Sequence, residues 1–297
     1  MEFKQLEAFV NVVKYKSFSK AADATFLTQP TVSAHIAQLE KELGVILIDR
    51  NMKESRPTKE GRTFYNYAIN ILNTRERAIA SLNSLSSELN GVLELRASTI
   101  PGEYIVPELV NKFSLLHPMV RFNICESDSL NVGNEILDNL GEIGFTGSFS
   151  DNGLKYEELV KDKMVIITPD NDKFRKTMER GKSLRVSELK EEAFIFREDG
   201  SSTRKAFEDE LASSDTVVSL KNIITVNSIN SVKEYVRRGM GVSILSKLSV
   251  KENEGYLAFD LEDLNPNRAF YMVYNKNITL TPLALEFKNF VLNEYSK

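Results

Sequence analysis

Apolar residues recur every three or four positions in the first part of the chain, which is the spacing of helices that bury one face. Residues 2–15 form one such stretch, and residues 17–25 form a shorter one with adjacent small alanines. A third begins after Thr28, whose hydroxyl can accept an unpaired helix N–H, and it tolerates Pro30 in its first turn. The pattern predicts three short helices, the last two joined by a tight turn.

The third helix has two different faces. One is apolar, with Val32, Ile36, Leu39 and Leu43, and the other carries short or polar side chains that let a helix lie close to the floor of a DNA major groove. An ordinary amphipathic helix has the same spacing, so periodicity alone leaves both interpretations open. The residues of the polar face are Thr31, Ser33, Ala34, His35 and Gln38.

The pattern then changes twice. Residues 45–48 are a short apolar run that predicts a strand, and residues 51–56 predict the turn of a wing. A long helix is predicted over residues 59–89, with Thr58 as its cap and an apolar stripe that suits a second copy of the chain or packing on its own chain. From residue 91, strands and helices alternate, which predicts a parallel-sheet α/β architecture. The predicted strands are 92–97, 120–125, 142–146, 164–167, 194–196, one within 217–226, 242–245 and 268–274, and the predicted helices are 101–117, 131–140, 202–212, 229–238 and 282–294.

Composition limits the classes of protein. The 297 residues are enough for two or three domains, and no run of 18 apolar residues predicts a membrane span. The N-terminus does not resemble a signal peptide, and the single Cys125 fits a reducing compartment, so we expect a cytoplasmic protein. Residues 1–90 carry 12 Lys or Arg against 10 Asp or Glu, a charge of +2 in a chain of net charge −4. Electrostatics alone therefore does not indicate nucleic-acid binding.

Hydroxyl-rich turns follow several predicted strands, at residues 98–102, 146–148, 197–204 and 227–229. Ligands of open α/β sheets bind beyond the carboxyl ends of strands, and helix N-termini favour anions. Ser and Thr are also the usual helix caps, so capping alone could explain any one of these turns. Together the turns indicate a site for a small oxyanion or carboxylate.

The N-terminal residues, taken in order, resemble the winged helix-turn-helix of LysR-type transcriptional regulators. The resemblance implies a winged helix-turn-helix over 1–58, a dimerisation helix over 59–89 and an effector-binding domain over 91–297. It also implies two Rossmann-like lobes of the periplasmic-binding-protein type, lobe I over 91–161 and 267–297 and lobe II over 162–266, with Pro266 near the second crossing. The matching residues are Ala21-Ala22, Leu27 to Ser33, Ile36, Leu39-Glu40, Leu43-Gly44, Ile48 to Arg50, Pro57-Thr58 and Gly61.

The resemblance implies two sets of functional residues and their partners. The partners are double-stranded promoter DNA with an interrupted palindrome, a second copy of the chain in a homodimer or homotetramer, and a small-molecule effector, with RNA polymerase as a further partner left open. For DNA the residues are Lys20, Thr28, Gln29, Pro30, Thr31, Ser33, His35, Arg50, Lys53 and Arg56. For the effector they are Ser98, Thr99, Ile100, Thr146, Gly147, Ser202, Thr203 and Ser228.

The segment of residues 197–204 resembles a subgroup of this family that includes regulators of sulfur assimilation and carbon fixation, with some members linked to selenium metabolism. The expected effector is therefore a sulfur or selenium oxyanion or another small anion, with no cofactor and no metal. Two positions depart from many relatives: Ala34 replaces a frequent arginine, and Ile100 replaces a frequent polar residue.

Other classes of function have less support. The two histidines, His35 and His117, have no evident nucleophile partner, and no P-loop, G-x-S-x-G, G-x-G-x-x-G or H-E-x-x-H motif occurs. The lone Cys125 ends an apolar strand, which is typical of an inert thiol. A small-molecule-binding α/β protein or an enzyme with an appended helix-turn-helix is the alternative. A free solute-binding protein is disfavoured by the N-terminal winged helix.

Overall fold

The N-terminal part of the chain forms the predicted three-helix unit. The structure is a computed structural model that describes residues 1–49, 55–82, 89–150, 153–213, 221–264 and 267–296. The helices are α1 (Phe3–Tyr15), α2 (Phe18–Thr25) and α3 (Gln29–Leu43). Val32, Ile36 and Leu39 are fully buried as predicted, whereas Leu43 is exposed. This unit has a core of its own, whose largest fully buried side chains are Leu6, Phe9, Ile36, Leu39 and Leu47.

The strand predicted over residues 45–48 is wrong in its extent. Only β1 (Ile48–Asp49) pairs, antiparallel to β2 (Arg56–Pro57). The amides of Leu47 and Ile48 donate to the Glu40 carboxylate at 2.8 and 3.1 Å, so this side chain takes the place of a partner strand. Residues 50–54 of the predicted wing, including Arg50 and Lys53, lie outside the described residues, and Arg56 at the end of the predicted turn belongs to β2.

The long helix is α4 (Lys59–Leu82), capped as predicted by Thr58, which accepts the amide of Gly61 at 2.9 Å. Residues 83–88 lie outside the described part, so the predicted end at residue 89 is untested. Part of the apolar stripe of this helix is covered by its own chain rather than by a second copy. Its first members, Phe64 and Ala68, pack against the core of the N-terminal unit of the same chain.

The remaining chain is a two-lobed α/β body, and the lobe boundaries named above stay a prediction. Two strands run between the lobes, β6 (Leu154–Pro169) and β12 (Asn267–Asn275). Lobe I adds β3 (Gly91–Ser98), α5 (Thr99–Tyr104), α6 (Val106–Leu116), β4 (Val120–Ser127), α7 (Ser129–Leu137), β5 (Ile143–Thr146) and α11 (Pro282–Tyr295). Lobe II adds α8 (Asp172–Arg180), β7 (Ser183–Leu184), β8 (Ala193–Arg197), α9 (Ser202–Ser213), β9 (Lys221–Val226), α10 (Ile229–Arg237), β10 (Ser243–Ser246) and β11 (Tyr256–Leu261).

The prediction of a parallel sheet is only partly right, because the sheet is mixed. β3 pairs in parallel with β4 and β5, and β8 pairs in parallel with β9. β12 runs antiparallel to both β5 and β6, and β6 runs antiparallel to β10 and β11. The antiparallel pairs arise because β6 leaves lobe I and β12 returns to it in the opposite direction.

One predicted helix is two. The helix expected over residues 101–117 begins earlier, at Thr99, and is interrupted at Ile105, which has a φ of −112°. Pro107 has no amide N–H with which to continue the hydrogen bonds of α5. It lies in the first turn of the new helix α6, which begins at Val106. The first half of β6, the helix α8 and the strand β11 had no predicted counterpart. Nowhere in the described ranges is a helix both long and apolar enough to span a membrane.

Candidate functional site

A small cavity lies where the two lobes meet, at the carboxyl ends of β3 and β8. Its volume is about 20 Å³, which is room for one or two water molecules. Five of the predicted effector residues line it together. The lining residues are Ser98, Thr99, Ile100, Asp128, Ser129, Arg197, Glu198, Ser201, Ser202, Thr203, Arg268 and Phe270.

The hydroxyl groups of the lining come from the starts of three helices, α5, α9 and, through Ser129, α7. Ser98 precedes α5 and is buried, but its side chain makes no capping hydrogen bond to that helix. Thr99 accepts a long hydrogen bond of 3.4 Å from Nη2 of Arg197. Ser202 and Thr203 form the start of α9 in the opposite lobe. Donors from both lobes therefore face one small space.

The other three predicted effector residues lie around the cavity without lining it. Thr146 is buried and donates to the Ser129 carbonyl at 3.0 Å, which fixes the start of α7. Gly147 lies so close to Ser202 that a Cβ there would come within 2.5 Å of the hydroxyl oxygen. Ser228 caps α10 by accepting the amide of Ser231 at 3.4 Å, so capping explains this serine.

The most buried charges of the site form a cross-strand pair that sequence reasoning missed. Arg268 of β12 lies opposite Asp162 of β6 in the ladder, and Nε donates to Oδ2 of Asp162 at 3.0 Å. The two side chains are 5% and 1% exposed. Burial lowers the pKa of the Arg268 guanidinium from its usual value, and the Asp162 carboxylate opposes that shift. The only sequence signal was an arginine at the start of an otherwise apolar strand.

The hydrogen bonds around this pair join both lobes. Oδ1 of Asp162 accepts the Ser246 hydroxyl at 2.8 Å, and Nη1 of Arg268 donates to the Ser202 hydroxyl at 2.7 Å. The guanidinium also stacks on Phe270, 4.6 Å from the ring centroid. Nη2 of Arg268 is buried and makes no hydrogen bond to any group of the described residues.

The second cavity arginine is already neutralised. Arg197 donates from Nε and Nη2 to the two oxygens of Glu198 at 2.8 and 2.7 Å. Its side chain is 7% exposed. The cavity thus contains two guanidinium groups, each with a carboxylate partner. No group of three His, Cys, Asp or Glu side chains suited to a metal ion occurs within the described part of the chain.

The lobes touch across the cavity. The Ser129 hydroxyl donates to the Ser202 hydroxyl at 3.1 Å. A Cβ at Gly200 would come within 2.7 Å of the Asp128 side chain, which is held by the amides of Leu130 and Asn131 at 3.0 and 2.9 Å. The described arrangement is a closed cleft with no room for a molecule of several heavy atoms.

A separate polar surface lies at the N-terminal end of α3. Gln29 and Pro30 are exposed there, and the Ser19 hydroxyl donates to Oε1 of Gln29 at 3.1 Å. Thr28 caps the helix and shares a hydrogen bond of 2.8 Å with the Thr31 hydroxyl. Lys20 is exposed on α2 and Arg56 is exposed on β2, and Ser33 and His35 are half-buried on α3.

Comparison with known proteins agrees with both parts of the chain. Residues 3–62 match the model of the bacterial regulatory helix-turn-helix protein, lysR family, and residues 86–296 match the LysR substrate binding domain. The HTH-type transcriptional regulator CysL of Bacillus subtilis is 31% identical over 254 residues, which cover 85% of this chain and 83% of CysL.

Two solved structures share the fold. A full-length OxyR variant from Pseudomonas aeruginosa has a TM-score of 0.80 at 18% identity, and the match covers 98% of this chain and 95% of OxyR. The effector binding domain of QuiR in complex with shikimate has a TM-score of 0.64 at 18% identity, with 70% of this chain and 98% of the domain covered. The predicted winged helix-turn-helix followed by a two-lobed α/β domain is thereby confirmed, and the chain belongs to the LysR family of transcriptional regulators.

Proposed function

We propose that this regulator is controlled by a small anionic effector that binds between the lobes. The observation that carries the proposal is the cavity itself, in which hydroxyls from the starts of α5 and α9 face one space. An anion there accepts hydrogen bonds from both lobes, which changes the relative free energy of the closed and open cleft. The shikimate complex of the QuiR domain supports a carboxylate-bearing molecule as one form of such an effector.

We also propose that α3 is the DNA recognition helix. Its exposed N-terminal turn and short side chains allow it to enter a major groove. The proposed contacts to the DNA backbone are Lys20 and Arg56, and Arg50 and Lys53, which lie outside the described residues, remain predictions. The proposed contacts to bases and neighbouring phosphates are Thr28, Gln29, Pro30, Thr31, Ser33 and His35.

The proposed DNA site is an interrupted palindrome bound by a homodimer or homotetramer. One copy offers a single recognition helix and an N-terminal region of only +2 charge, so two copies on one duplex supply the affinity that one lacks. The helix α4 is the proposed contact between copies. RNA polymerase stays a predicted partner.

The test separates DNA binding from effector response. The full-length protein selects its preferred duplex from a random library, and fluorescence anisotropy then gives the DNA affinity with and without sulfate, selenite, phosphate or shikimate. We expect one of these anions to change DNA affinity and to raise the melting temperature. Thr203→Val removes a cavity hydroxyl and is expected to keep the DNA affinity but lose the anion effect.

The matched control is Thr177→Val, because Thr177 is a half-buried residue of α8, outside the cavity, whose hydroxyl donates to the Lys173 carbonyl of its own helix at 3.2 Å. An anion response retained in T203V, or lost equally in T177V, contradicts the proposed site.

A further inference from the structure

The guanidinium of Arg268 has a donor that the protein leaves unused. Nε and Nη1 have acceptors in Asp162 and Ser202, but Nη2 has none within the described residues, and the side chain is only 5% exposed. Leaving a buried N–H donor without an acceptor costs more free energy when the group is charged than when it is neutral. Such groups are rare in native proteins and call for an explanation, of which a bound ligand is one. The same side chain lines the interlobe cavity.

We propose that Arg268 is the anchor of the effector and that the effector is a small monoanion, whose oxygen accepts a hydrogen bond from Nη2. The proposal rests on the effector site described above and specifies its ligand. A carboxylate and a singly charged inorganic oxyanion share this chemistry, since each presents an oxygen of partial negative charge to a planar N–H donor.

The charge balance of the cavity opposes a dianion more strongly than a monoanion. The lining contains Arg197 and Arg268 against Asp128 and Glu198, so its formal charge is zero, and Asp162 behind Arg268 adds a further negative charge. No surplus cation is present, so the hydrogen bonds of the site have to offset the repulsion between a bound anion and the nearby carboxylates, and this repulsion is about twice as large for a dianion.

The position of Arg268 also explains how binding at one atom reaches both lobes. The residue lies on β12 beside the strand crossing, it pairs with Asp162 of β6, and it holds Ser202 at the start of α9. An oxygen bound to Nη2 therefore sits between the lobe-crossing strands and the helix that closes the cleft.

The test uses two variants with opposite expected effects. Arg268→Lys keeps a cation for Asp162 but loses the fork of N–H donors, and we expect anion affinity to fall at least about tenfold. Asp162→Asn leaves an oxygen to accept from Nε and removes the counter-charge, and we expect anion affinity to rise about tenfold. A merely structural role for the pair weakens binding in both variants. Arg96→Lys is the control, because Arg96 donates to the Leu140 carbonyl away from the cavity.

Acetate and hydrogen selenite serve as monoanions and sulfate as the dianion, at matched ionic strength, with affinity measured by calorimetry on the full-length protein. Tighter binding of either monoanion than of sulfate is expected, and the preferred one identifies the source as carboxylate or oxyanion. The proposal is overturned by unchanged affinity in R268K, by no gain of affinity in D162N, or by preference for sulfate. None of these three results contradicts the proposed function, which is control by an anionic effector. Failure of the wild type to bind any anion overturns both. If R268K does not fold, as judged by circular dichroism, D162N decides alone.

Discussion

Gln29 presents an amide at the exposed N-terminal end of α3, the proposed recognition helix, and its orientation is restrained. The hydroxyl of Ser19, on α2, donates to Oε1 of this amide at 3.1 Å. A side chain restrained before binding loses less conformational entropy when it contacts DNA. Ala34, on the same helix, has no group that can recognise a guanine. We therefore expect direct readout by this helix to depend strongly on the Gln29 amide.

Substitution of Gln29 by alanine tests that dependence. We expect a loss of about 1–3 kcal/mol in discrimination between the selected duplex and one altered at a single base pair, because an amide forms paired hydrogen bonds with adenine. Binding to unrelated duplex DNA should change little, since phosphate contacts remain. Fluorescence anisotropy on the two duplexes measures both quantities. Asn134→Ala, which removes an exposed amide of α7 outside the N-terminal unit, is the matched control, and equal discrimination in Q29A and wild type would contradict the assignment.

At the scale of elements, the sequence predicted most reliably what neighbouring residues determine. The bounds of α2 and α3 follow from local signals such as the caps at Ser17 and Thr28. The first half of β6 was missed because it is half-exposed and carries charged residues, and only pairing with β12, more than one hundred positions later, makes it a strand.

The cavity between the lobes shows the same contrast between what local sequence signals predict and what contacts between distant residues determine. Its hydroxyls lie at strand ends that the alternation of elements reveals, so Ser98 and Thr203 were predicted. The partner of Arg268 is Asp162, which is 106 positions away, and no local pattern indicates such a pair.

Three asparagines on one face of α4 fasten the long helix to lobe I. Asn70 donates to the Asn277 carbonyl at 2.8 Å and accepts the Thr279 amide at 2.6 Å. Asn73 donates to the Thr279 carbonyl at 2.7 Å. Asn66 accepts from Asn139 at 3.0 Å. These hydrogen bonds connect lobe I directly to α4, the helix that follows the N-terminal unit, so a change in lobe I can alter the position of that helix.

Loss of the Asn70 amide should weaken the connection between lobe I and α4. In Asn70→Ala, two hydrogen bonds disappear, and we expect stability to fall by about 1–2 kcal/mol. The amide of Thr279 should exchange with deuterium faster, because it loses its acceptor, and an anion should change DNA affinity less than in the wild type. Hydrogen exchange and anisotropy measure these effects. Asn134→Ala on the exposed face of α7 is the control, and an unchanged exchange rate at Thr279 would show that this contact does not persist in solution.

The whole molecule is described in a closed form, and one hydrophobic core extends through both lobes. Phe145 and Phe270 of lobe I belong to the same buried cluster as Ile195, Val232 and Leu245 of lobe II. The cavity of about 20 Å³ is too small for a molecule of several heavy atoms, so effector binding must work against this closure. The measured affinity is then reduced by the fraction of molecules that are open.

A methyl group at Gly200 should open the cleft without touching the proposed ligand contacts. In Gly200→Ala the new Cβ meets Asp128, whose capping bonds to α7 keep it from moving aside. We expect the open form to be more populated and anion affinity to rise about threefold to tenfold, since less of the binding free energy is spent on opening. Titration calorimetry gives the affinity, and small-angle scattering of the ligand-free protein reports the opening. Gly102→Ala is the control, because its Cβ finds only ordinary contacts in lobe I. Weaker anion binding in G200A would mean that the closed cleft, rather than the open one, is the form that receives the effector.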